Sequence, residues 1–138
     1  MNMFNRGVCA GLLMLVCVSA GADNLSGARN LICTALQATF CTAAGDCESG
    51  QPWSWNIPQF IQVDLRKKTL STTPASGENR VTPIRSTERK DGLIILQGAE
   101  RGRAFSFVID EMTGVASVAV AREGITVSVF GACTPDPK

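Results

Sequence analysis

The chain has 138 residues, 45% of them hydrophobic, with 13 Lys+Arg against 12 Asp+Glu and no histidine. This length suits one domain, and the near-neutral balance argues against nucleic-acid binding or adhesion to anionic membranes, which need a basic face. Without histidine, the side chain most used for acid–base catalysis and metal binding is missing, and a Ser-His-Asp triad is excluded.

Residues 1–22 have the layout of a secretory signal peptide. Arg6 gives the basic start, Val8 to Val18 an apolar run, and Ser19-Ala20-Gly21-Ala22 the small residues of a cleavage site before Asp23. The run is shorter than the roughly 20 residues of a spanning helix, so no membrane span is expected in the mature form. Val16 stands where a lipoprotein start needs a small residue, which sets aside acylation of Cys17. Residues 23–138 are read as a single β-rich domain, and without Arg6 its positive and negative charges balance.

The segment Asp23 to Cys41 supports two readings. Leu25, Ala28, Ile32, Ala35, Leu36 and Phe40 fit a helical stripe with Ser26 as N-cap. Alternatively, Ile32, Thr34, Leu36, Ala38 and Phe40 form one face of a strand from Leu31 to Thr42, with Cys33 and Cys41 together on the other. The strand is preferred because a first strand would pair with the last, near Cys133.

Cys9 and Cys17 belong to the leader, leaving Cys33, Cys41, Cys47 and Cys133, an even set with three possible connectivities. The preferred pairing closes a small loop with Cys41–Cys47 and clasps the ends of the domain with Cys33–Cys133. Disulfides imply an oxidising compartment, the periplasm or the exterior. A zinc site is disfavoured: the intervening stretches are seven, five and 85 residues, and no histidine completes a ligand set. A catalytic thiol has no imidazole to activate it. No metal or cofactor is expected.

The stretch Gly50 to Phe60 holds both tryptophans and two prolines. Trp53, Trp55, Asn56 and Phe60 are the candidate ligand- or partner-binding residues, since aromatic side chains are enriched at recognition surfaces. The competing reading is that the tryptophans plug one end of the fold and bury apolar area.

From Phe60 onward, period-two segments alternate with turns. Ile61, Val63 and Leu65 alternate with polar residues; Leu93 to Leu96 is apolar; Phe105, Phe107 and Ile109, then Val118 and Val120, then Ile125, Val127 and Val129 complete the series. Asp91-Gly92, Gly114 and Gly124 mark turns between them, which is the hairpin pattern. A further strand within Arg80 to Thr87 is confined by Pro83 to an edge or a bulge, and Thr72 to Asn79 is a loop. Strands in series with no helical segment between them predict an antiparallel meander of six to eight strands. Closure removes exposed edges, so the expected fold is a small up-and-down barrel tied by two disulfides, with a two-sheet sandwich or an added N-terminal helix as alternatives. Its interior, filled by the bulky residues just named, is expected to be solid rather than hollow.

Little else points to chemistry. Asp110-Glu111 sits at a turn, where acidic residues serve turn geometry; Asp64 is explained by an exterior position or an arginine partner. Ser106, Ser117 and Ser128 are outward strand positions, and Arg66-Lys67-Lys68 is a solvated strand end or turn.

Asn56-Ile57-Pro58-Gln59-Phe60-Ile61-Gln62-Val63-Asp64 and the closing Phe130-Gly131-Ala132-Cys133 resemble, with the upstream cysteines and Ile109-Asp110 to Gly114, a set of small exported bacterial proteins. The resemblance implies a bacterial, periplasmic setting and brings no catalytic assignment. The expected function is a non-enzymatic periplasmic binding or interaction module that docks on an envelope protein near Trp53 and Trp55. One alternative is an inhibitor of an envelope-attacking hydrolase that uses the loop Asp46 to Trp55. Another is a carrier of a small apolar ligand, which a large continuous internal cavity would place first.

Overall fold

The computed structural model describes residues 23–137, so the expected leader lies outside the described residues. Ten strands run in chain order: β1 (Asn30–Thr42), β2 (Cys47–Gly50), β3 (Phe60–Asp64), β4 (Thr69–Thr72), β5 (Val81–Pro83), β6 (Ser86–Lys90), β7 (Leu93–Glu100), β8 (Arg103–Asp110), β9 (Val115–Arg122) and β10 (Ile125–Pro135). Single 3-10 turns at Pro52–Trp55 and Pro74–Ser76 are the only helical elements among the described residues. The expected all-β architecture is therefore present, and the helical reading of Asp23 to Cys41 is replaced by strand β1.

The strands form one curled antiparallel sheet in the order β5-β4-β3-β1-β10-β9-β8-β7-β6, with β2 pairing to β1 outside that path. Its two edge strands are consecutive in sequence. The connection Ile84-Arg85 crosses the seam: the Ile84 N–H donates to the Lys68 carbonyl and the Arg85 N–H to the Gln97 carbonyl, both at 2.8 Å. Thr82 on one edge also donates to Glu100 Oε2 at 2.6 Å. Residues 81–90 thereby hold the half-barrel curled and cover edges that would otherwise offer unpaired backbone groups. Pro83 lies on the edge strand β5, where its missing N–H is tolerated.

Hairpin geometry follows from the turn residues. Asp91-Gly92 and Arg101-Gly102 both have positive φ at two successive positions, 54° and 76°, then 49° and 72°. That backbone twist matches paired strands.

Both predicted disulfides are present, Cys33–Cys133 and Cys41–Cys47. Each joins residues directly opposite in register, the first across β1–β10 and the second across β1–β2. One expectation for β1 fails. Cys33 and Cys41 do not share a face, because a bulge between Ala35 and Gln37 inserts Leu36 as an extra residue opposite Gly131-Phe130. An extra residue reverses which side chains point inward. Leu31 and Cys33 are buried before the bulge, Ala38 is buried after it, and Leu36 is exposed. Gly131 is required there, since a Cβ would come within 2.2 Å of the Thr34 carbonyl oxygen. The free edge of β1 also changes partner at this point, from β3 before the bulge to β2 after it.

One end of the half-barrel is sealed. Leu25, Leu31, Val63, Ile94, Leu96 and Ile109 are its most deeply buried side chains. Leu25 reaches this core from the segment before β1, with its N–H donating to the Glu111 carbonyl at 2.7 Å. Arg89 locks that segment down: Nη2 donates to the Leu25 carbonyl at 2.7 Å, Nη1 to the Ala28 carbonyl at 2.9 Å, and Nε pairs with Glu111.

Candidate functional site

The other end is open. Along each long strand the inward positions pass from buried to half-buried as they approach it. On β8 Ile109 and Phe107 are buried, Phe105 is half-buried and Arg103 stands at the rim. On β9 the series runs Ala116, Val118, Val120, Arg122; on β10 it runs Cys133, Gly131, Val129, Val127, Ile125. All of these residues except Ile109 and Cys133, which lie deeper in the sealed half, line with Ile61 and Phe40 a cavity of about 300 Å³ that opens at the mouth. That volume is at the small end of ligand sites.

The solid interior expected from the sequence is thus corrected. The bulky inward residues do face the axis, but they fill only the sealed half. In the open half they meet small partners. Gly98 stands on β7 directly opposite Phe105, whose ring lies where a Gly98 Cβ would be. Gly131 pairs with Ala35 across β10 and β1. The Phe105 ring therefore folds onto its own wall over Gly98, and the small Gly131 and Ala35 are neighbours on the β10–β1 wall, which leaves the axis between them open. The nine strands of the main path also enclose more room than the eight that side chains just fill.

Trp55 to Pro58 complete the wall beside the short strand β3. The buried Pro52 anchors the 3-10 turn, and Asn56 closes it in a left-handed conformation at φ 57°. This turn lays the Trp55 ring against Phe40, with centroids 6.1 Å apart and planes 8° from parallel. Gly50 leaves room for it, since a Cβ would lie 3.3 Å from the indole edge.

Of the four residues singled out from the sequence, Trp55 and Asn56 line the cavity, while Trp53 and Phe60 do not. Trp53 is 56% exposed and Phe60 40% exposed. Phe60 points outward because its neighbour Ile61 points in. The two tryptophans therefore divide the expected roles: Trp55 packs into the wall, and Trp53 projects into solvent.

The rim carries the charges that sequence reasoning missed: Arg80, Glu100, Arg103 and Arg122 all border the cavity. The Arg80 guanidinium lies against Glu78, Nε to Oε2 2.7 Å, an ion contact not aligned as a hydrogen bond. Glu100 accepts the Thr82 hydroxyl. The ion pairs among the described residues are Lys67–Asp64, Arg80–Glu78 and Arg89–Glu111, so Arg103 and Arg122 have no carboxylate partner there. A signal for both was present in the sequence, because Arg103 continues the inward parity of Phe105 and Phe107, and Arg122 that of Val118 and Val120.

The carboxylates considered for catalysis lie at the sealed end. Asp64 Oδ1 accepts from the Arg66 and Lys67 N–H groups, so it terminates a turn rather than pairing with an arginine. Asp110 Oδ1 accepts from the Thr113 N–H and hydroxyl and the Met112 N–H. The Thr113 bonds chiefly hold its pKa below the ordinary value. Among the described residues, no group of His, Cys, Asp and Glu could hold a metal ion, and no helix is long and apolar enough to cross a membrane. Comparison with family models, with curated proteins and with solved structures found no match to this chain.

Proposed function

We propose that the protein is a non-enzymatic binding module that holds a small, largely apolar molecule in the open end of its curled sheet, in an oxidising extracytoplasmic compartment such as the periplasm. The observation that carries this reading is the 300 Å³ apolar hollow beside a fully packed half of the same sheet. This apolar hollow, at the small end of ligand sites and open at its mouth, favours a ligand carrier over protein docking. Sheet walls, a stacked Trp55–Phe40 pair and two disulfides fix the cavity before any ligand arrives, which reduces the ordering cost of binding. The absence of histidine and the use of Asp64 and Asp110 as turn caps support a non-catalytic role.

The test is a titration with the apolar dye N-phenylnaphthylamine, following dye emission. The native chain is expected to bind the dye in the micromolar range. Val118→Trp, which fills the hollow from its wall, is expected to weaken binding at least tenfold while leaving the far-UV circular dichroism unchanged. No dye binding by the native chain, or equal binding by the variant, would sink the proposal.

A further inference from the structure

We infer that the occupant is a single-chain amphiphile with an anionic head, its apolar tail inside the hollow and its head set against Arg103 and Arg122. The inference rests on the ligand-binding reading above and adds the chemistry of the head. Ala104 and Ala121 are paired across β8 and β9, so Arg103 and Arg122 occupy the next position of that register, side by side at the mouth. Both border the cavity, and neither has a carboxylate partner among the described residues. Like charges on neighbouring strands repel, and an anion between them removes that repulsion while accepting charge-assisted hydrogen bonds.

The other charges at the mouth leave this balance standing. Arg80 is matched by Glu78. Glu100 is opposite Arg103 in register, but its Oε2 is engaged by Thr82 on the far edge of the seam. The turns at this end add Arg101, Glu123 and Asp46, and none of the three lines the cavity. Two arginines against one carboxylate disfavour a cationic head. The size of the hollow sets the tail: one water occupies roughly 30 Å³ of liquid, so about 300 Å³ admits on the order of ten small groups, enough for one medium-length chain and too little for a two-chain lipid.

Octanoate, octanol and octyltrimethylammonium are the probes, titrated as competitors of the dye at low and high salt. Octanoate is expected to bind about tenfold more tightly than octanol, with the advantage shrinking at high salt as screening requires, and octyltrimethylammonium to bind most weakly. Arg103→Gln/Arg122→Gln is expected to abolish the preference for octanoate and leave octanol affinity unchanged; Arg66→Gln, at the sealed end, keeps the native ranking. Arg122→Gln alone, at an exposed position, serves where the double variant is not folded by circular dichroism. Octanol binding as tightly as octanoate, or a preference that survives the double variant, overturns the anionic head and leaves the cavity reading intact. Failure of all three competitors together with failure of the dye overturns both.

Discussion

Removing the two disulfides separately should have unequal effects, because the loops they close differ greatly. Cys33 and Cys133 are 100 residues apart in sequence, Cys41 and Cys47 six. In the chain-entropy model the long loop is worth about 4.7 kcal/mol at 25 °C and the short one about 2 kcal/mol. Burial widens the gap. Cys33 and Cys133 are both buried, so their replacement by alanine also leaves a void worth about 1 kcal/mol, whereas Cys47 is exposed. Cys33→Ala/Cys133→Ala should therefore lose about 6 kcal/mol and Cys41→Ala/Cys47→Ala about 2 kcal/mol. Against a total of roughly 5–15 kcal/mol, the first loss removes a third of the stability or more. Urea unfolding followed by circular dichroism reads both. With a slope near 2 kcal/mol per molar, the midpoints should fall by about 3 M and about 1 M. The stability extrapolated to water is the quantity to compare, because opening a large loop expands the unfolded chain and raises the slope. A small-loop variant that loses as much as the clasp variant would refute the reasoning.

Two further outcomes concern the sealed end. Arg89→Met removes donors from the Leu25 and Ala28 carbonyls and leaves Glu111 unpaired, so it should cost about 2 kcal/mol. Hydrogen exchange should speed at the Leu25 amide more than in β8, and uniform acceleration would show that Arg89 does not act locally. The Asp110 carboxyl should titrate below the ordinary 3.8 by NMR. Because its folded pKa is depressed, its contribution to stability is complete above the unfolded value and disappears as the pH falls through the folded one. Asp110→Asn should flatten the acid limb of the melting curve, and an unchanged limb would mean the turn gains nothing from the charge.

Where alternation is long and closed by a glycine turn, the sequence foretold the structure well. Phe105, Phe107 and Ile109 on β8 and Val127 and Val129 on β10 point inward as their parity requires, and the Cys33–Cys133 clasp follows from pairing the first strand with the last. Short strands left no such trace. In β2, Cys47-Glu48-Ser49-Gly50 is exposed over most of its length and takes its conformation from the Cys41 partner, not from any pattern of its own. In β4 only Leu70 is buried among threonine and serine. The bulge at Leu36 was hidden for a different reason: in isolation its sequence alternates acceptably through the bulge, and the close approach there is accommodated by Gly131 on a strand almost a hundred residues away. The cavity was hidden in the same way. Parity tells which residues face the axis, but only register tells that Gly98 stands opposite Phe105, and so that the ring folds onto the wall instead of crossing the axis.

The contrast between the two ends argues that the hollow is a built feature. At the sealed end the acidic groups and Arg89 are committed: Asp64 and Asp110 cap turns, and Arg89 ties two carbonyls to Glu111. The same inward parity at positions 103 and 122 would extend the packed core by another layer if those residues were valine or leucine, burying apolar area worth about 2 kcal/mol for each side chain. The chain instead places guanidinium groups there, on a rim that also carries the Arg80–Glu78 ion pair. A sequence under pressure for stability alone would close that end, since cavities and neighbouring like charges both weaken the folded state. Stability forgone at one end and secured at the other by a 100-residue clasp is the arrangement expected of a rigid cup whose mouth is reserved for a ligand.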